Sequence, residues 1–154
     1  MTAWDDVLSH VETHLRTAGA TLRRPITDVR LGEPATFSAP LAAYWYAGDS
    51  EGQRIGNTLS RASYTERLTI RWYWPVGDRA INAAADVERE LRQANRATTH
   101  AIWADYTLGG HATGIDFPEG AESGWTETAG GWVRTLTLTL GVDMVDLDDI
   151  GVTP

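Results

Sequence analysis

The chain has 154 residues, enough for one ordinary domain and too few for two. It has no cysteine, and all thirteen basic residues are arginine; disulfides, thiolate metal sites, Cys nucleophiles, P-loop lysines and Schiff-base chemistry are thereby excluded. Its 21 acidic residues give a formal net charge of -8, which disfavours a surface that tracks nucleic-acid phosphates.

Seven Trp against two Phe is an unusual balance. Trp covers a large area while keeping a polar handle, so a surplus suits interfaces as well as cores. No segment approaches about 18 consecutive apolar residues, and the opening Met1-Thr2-Ala3-Trp4-Asp5-Asp6 is acidic and unlike a secretory signal. These features lead us to expect a soluble protein made in a cytoplasm.

In chain order, Trp4, Val7, Leu8, Val11 and Leu15 recur at three- and four-residue steps and predict an amphipathic helix over Ala3–Ala18. Thr2 is placed to cap it, Asp5 and Asp6 suit its first turn, and Gly19 is expected to stop it. An extended stretch over 26–31 follows and is broken by Gly32-Glu33-Pro34. Leu41–Ala47 predicts a strand ending on Tyr44, Trp45 and Tyr46. Residues 48–63 are polar and aperiodic and predict a long loop.

Tyr64–Trp74 alternates most clearly: Leu68, Ile70, Trp72 and Trp74 on one face, Thr65, Arg67, Thr69, Arg71 and Tyr73 on the other. Pro75 and Gly77 are expected to end it. Asp78 is placed to cap a second helix through Ile81, Ala84, Val87, Leu91 and Ala94, with helical pattern resuming through Ile102 and Trp103 before Gly109-Gly110. His111–Phe117 predicts a strand and 117–131 a second long polar loop. In the last strand Leu136, Leu138, Leu140 and Val142 alternate with Thr135, Thr137 and Thr139, and an acidic tail occupies 143–154. The order predicts an α+β domain: one mixed or antiparallel sheet of four to five strands with two helices on one face.

Catalytic chemistry is not legible. His10 and His14 stand four apart on the first helix, but Val11 occupies the place that a metalloprotease motif gives to Glu, so both read as solvated edge residues. Ser123 lacks the Gly two residues earlier that a nucleophile elbow needs. The aspartates at 143, 146, 148 and 149 miss calcium-loop spacing. No catalytic, cofactor or metal residue is therefore expected. Threonine and arginine rows on a sheet face suit a wet subunit interface. The candidate interface residues are Arg54 and Arg61 in the first long loop, Arg67, Arg71 and Tyr73 on the third strand, Trp125 in the second loop, and Thr135, Thr137 and Thr139 on the last strand.

The layout resembles the tail terminator (tail completion) proteins of long-tailed bacteriophages. The resemblance rests on the N-terminal amphipathic helix, Arg30-Leu31-Gly32-Glu33-Pro34, the aromatic strand Ala43-Tyr44-Trp45-Tyr46, strand 64–74, the helix after Asp78, Thr107-Leu108-Gly109-Gly110, and the closing Leu/Thr strand before an acidic terminus. It implies a non-enzymatic virion protein at the tail–head junction, without cofactor or metal. Copies would form a ring, hexameric in the family, that caps the tail tube, stops its polymerisation and meets a head-completion (neck) protein. DNA would pass through the channel without specific binding, and no membrane would be involved. The loops 48–63 and 117–131 would be the reaching elements, and acidity would suit a conduit that repels phosphate. Two other readings compete: another neck or minor tail structural protein of the head-closure type, and a cone-shaped α+β pocket protein or enzyme, which needs an ionisable group inside an apolar cavity.

Overall fold

A computed structural model describes residues 3–54, 62–77 and 81–145. Thr2, Arg61, Asp78 and the acidic residues from 146 onward lie outside these. Eight elements follow one another: α1 (Ala3–Ala20), β1 (Val29–Leu31), β2 (Leu41–Arg54), β3 (Ala62–Gly77), α2 (Ile81–Trp103), β4 (Gly114–Asp116), β5 (Ala121–Thr128) and β6 (Gly131–Val145). The fold is α+β with a single mixed sheet, in the order β1-β2-β3-β6-β4, with β5 also pairing β6. Only β1–β2 is parallel; the other pairs are antiparallel.

Period-two alternation on β3 and β6 sets one face of the sheet. Leu68, Ile70, Trp72 and Trp74 pack with Leu136, Leu138, Leu140 and Val142 in one buried cluster. Val7, Val11, Leu15 and Ala18 of α1 and Val87, Leu91, Ala94 and Ile102 of α2 close that cluster, so both helices cover the same face. The indoles of Trp72 and Trp74 stack with centroids 6.4 Å apart, and Trp72 Nε1 donates to Thr98 Oγ1 at 3.0 Å. Burying an indole costs its N–H a water partner, and a threonine inside α2 supplies the replacement. Two side-chain pairs lock α1 and its following turn to the rest: Tyr44 Oη donates to Glu12 Oε1 at 3.1 Å, and Arg24 forms a fork with the buried Glu90.

The sheet has six strands, more than the four to five expected, because both predicted long loops hold strand. β2 runs on to Arg54 past a bulge between Tyr46 and Ser50, at which Gly48 takes φ +86. Of the 48–63 loop, therefore, residues 48–54 and 62–63 are strand. Ala121–Thr128 of the 117–131 loop pairs with β6 through a hairpin closed at Gly131. Its residues are exposed on both sides apart from the half-buried Gly124, so no apolar face exists to produce an alternating pattern. β4 and β5 lie along the same edge of β6, interrupted where Phe117–Gly120 stands opposite Thr139 and Leu140. β6 continues through Val145, so the first residues of the predicted acidic tail belong to the sheet. Asp143 there accepts from Thr65 Oγ1 at 2.6 Å.

Pro75 does not end β3: the strand passes a second bulge between Pro75 and Gly77. α2 is one unbroken helix to Trp103. Gly19 is not a helix stop. It lies inside α1 on a buried surface, where a Cβ would collide with the Ile26 carbonyl oxygen. Glycine is needed there for close approach of two backbones.

Candidate interaction surface

Alternation sends every second residue of β2, β3 and β6 to the face opposite the helices. In register across that face lie Leu41, Tyr73 and Thr135; Ala43, Arg71 and Thr137; and Trp45, Thr69 and Thr139. The segment 32–40 folds over one end of it. Phe37 sits 5.1 Å from the Tyr73 ring, and Leu41, Ala43, Tyr73 and Val133 form a small second apolar cluster beneath. Tyr73 and Thr135 are thus buried, which corrects their assignment to an open interface. A polar strand face read from sequence carries no sign that a neighbouring loop will lie across it. Burial pushes the Tyr73 hydroxyl pKa up, with Arg71 opposing.

The rest of this face is half-buried to open. Arg71 is its organising side chain: Nε donates to Thr137 Oγ1 at 2.8 Å, the guanidinium lies 5.3 Å from the Trp45 ring, and Nη1 is 3.8 Å from Glu33 Oε1. A planar, weakly hydrated cation stacked on an indole keeps its shape when water leaves, as an interface requires. Thr137, Thr139 and Arg67 share this face. Arg54 ends β2 opposite Ala62, and Arg61 lies outside the described residues.

Trp125 belongs elsewhere. It pairs with Arg134 on the helix side of the β5–β6 hairpin, beyond the end of the core. Trp125 and Trp132 meet edge to face at 6.5 Å, each about half exposed (47% and 46%). Arg134 lies 5.1 Å from the Trp125 ring, and its Nε donates to Glu88 Oε1 of α2 at 2.7 Å. Sequence reading had no reason to single out Trp132, which becomes informative only when the hairpin sets it beside Trp125.

A third surface lies along α2. Arg89, Arg92 and Arg96 share one face of α2 with Gln93 and His100, and Arg23 and Arg24 from the α1–β1 connection complete a groove. Glu90 within it is committed to Arg24, whose pKa that bond raises.

The two histidines of α1 stand at its part-exposed edge, and both face one carboxylate. His14 Nε2 bonds Asp105 Oδ2 at 2.8 Å, and His10 Nδ1 lies 3.6 Å from the same oxygen. The turn after α2 brings Asp105 against α1, a juxtaposition across 91 residues that no local motif reveals. Burial pushes the Asp105 carboxyl up, but the Gly109 N–H and His14 outweigh it and hold the group below the usual carboxylate range.

Among the described residues, no helix is long and apolar enough to cross a membrane. No protein-family model and no curated protein matches the chain.

Proposed function

We propose that this chain is a structural virion protein of the tail-terminator type, a ring-forming subunit, hexameric in that family, at the head-proximal end of a phage tail. In this role it caps the tail tube, stops its growth and offers a surface to the neck, while DNA slides through the ring. Its work is interface complementarity and not catalysis. The partners are further copies of itself, the tail tube protein and a head-completion protein.

One observation carries the reading: the sheet has a sealed side and an open side. The helices bury the centre of one face, while the other offers the half-buried Trp45, Arg71, Thr137 and Thr139, the aromatic, arginine and hydroxyl mixture of a wet interface. The Trp125–Trp132 pair adds exposed aromatic area at the hairpin. The element order supports the same reading, since an N-terminal helix, strands, a second helix and a closing Leu/Thr strand are the features on which the family resemblance rests. The two long stretches remain the reaching elements in this reading, with residues 48–54, 62–63 and 121–128 now part of strands.

The test is mass in solution by light scattering, with electron microscopy of the assembled particle. A sixfold ring with a channel wide enough for duplex DNA is expected, and added ring should stop tail tube growth. A stable monomer at high protein concentration, with no effect on tube length, would overturn the proposal.

A further inference from the structure

The cluster at the junction of α1 and the turn after α2 has the composition and spacing of a cation site. His10 and His14 lie one helical turn apart, which puts both rings on one side of α1. Asp105 reaches them from the segment after α2. One ligand atom from each of the three residues falls within 4.8 Å of the others.

Geometry favours a small transition metal. Tetrahedral coordination with bonds of about 2.0–2.1 Å separates adjacent ligand atoms by about 3.3 Å. The His14 Nε2–Asp105 Oδ2 and His10 Nδ1–Asp105 Oδ2 separations, 2.8 and 3.6 Å, bracket that value, and the two histidine ligand atoms lie within 4.8 Å of each other, so side-chain rotation alone can close the set. Two imidazoles with one carboxylate suit zinc, cobalt or nickel, whereas magnesium and calcium prefer oxygen.

The surroundings orient the donors. Gly109 N–H donates to Asp105 Oδ1 at 2.9 Å, holding the carboxylate so that Oδ2 faces the histidines. Gly109 itself takes φ +70, and a Cβ there would strike the His10 ring, so a glycine lets the turn approach this closely. His111 packs against His10 with ring centroids 5.4 Å apart and planes tilted by 45°, and is itself 3.7 Å from Asp6 Oδ2, so the His10 ring has a neighbour that limits its rotation. The His10 side chain is 37% exposed, so solvent reaches the cluster and an ion can enter.

We propose that His10, His14 and Asp105 bind one first-row divalent transition metal ion, of the zinc or cobalt type. Three protein ligands leave a position for water. The ion clasps the N-terminal helix to the α2–β4 connection, so metal binding stabilises the fold of this chain. This inference does not depend on the ring assignment.

The experiment uses the full chain with any affinity tag removed, stripped with EDTA and titrated with Co²⁺ by visible absorption, then with Zn²⁺ by calorimetry and competition. One equivalent should bind, with visible ligand-field bands that Zn²⁺ abolishes. Zn²⁺ but not Mg²⁺ should raise the melting temperature. His14→Gln and Asp105→Asn should each weaken Zn²⁺ at least about tenfold, while the exposed His100→Gln leaves it unchanged. Should those two variants fail to fold, His10→Gln keeps the test open, because it leaves the His14–Asp105 bond in place. Absence of the Co²⁺ bands, or His10→Gln binding as tightly as the parent, overturns the proposal.

Discussion

Replacing Gly19 by alanine sets two principles against each other. In a helix interior alanine is favoured over glycine by about 1 kcal/mol, so a reading based on α1 alone predicts a more stable protein. The tertiary structure predicts the reverse. The new methyl would collide with the Ile26 carbonyl oxygen and stand 3.3 Å from its carbon, while the Trp72 ring edge at 3.5 Å blocks retreat toward the core. Relieving the clash moves backbone and not a flexible side-chain end, and overpacking of this kind costs about 1–3 kcal/mol. The Ile26 N–H to Gly19 carbonyl bond, 3.0 Å, closes this turn and would be lost or stretched, for about 1 kcal/mol more. The net is a loss of about 2 kcal/mol, which lowers the melting temperature of a domain this size by about 4–8 °C. Urea unfolding followed by Trp fluorescence should give a lower midpoint with an unchanged slope. A midpoint above that of the parent would refute the close approach of α1 to residue 26.

Three further outcomes are expected. Thr98→Val leaves the buried Trp72 indole N–H without its acceptor and should destabilise by about 1–3 kcal/mol, measured by the same urea series. Trp132→Ser removes a half-exposed ring that meets Trp125 edge to face, so its melting temperature should fall by no more than about 4 °C. If the hairpin end joins subunits, that same variant should weaken ring assembly at least about tenfold by light scattering. Tyr44 should titrate late. Burial first, then Glu12, raises its pKa from 10.0 to about 12, so the folded state binds this proton more tightly than the unfolded chain does. Its stabilising contribution is complete below pH 10 and is lost as pH rises toward about 12, and near-ultraviolet tyrosinate absorbance should show one tyrosine ionising late.

The sequence by itself determined those elements whose side chains divide into a wet and a dry side. α1, α2, β3 and β6 each place apolar residues at the period of their own backbone, because each buries one face against a common core. From these four, the α+β class and the single-sided helix layer followed. The sequence was silent wherever an element has no dry side. β5 is held by main-chain pairing to β6 and is exposed on both sides, so its side chains need not alternate in polarity and its residues look like loop.

Everything that depends on two distant segments meeting was left to the tertiary structure. Tyr73 reads as an outward residue of β3 and is buried because Phe37 lies over it. Gly19 reads as a helix stop and serves instead as the contact point with residue 26. His10 and His14 carry half of a ligand pattern on α1, and their third member arrives from residue 105, across a sheet and a second helix. Periodicity reports how a residue stands relative to its own element. Which other element stands opposite is settled only when the chain packs, and both the open sheet face and the histidine–aspartate cluster are products of that packing.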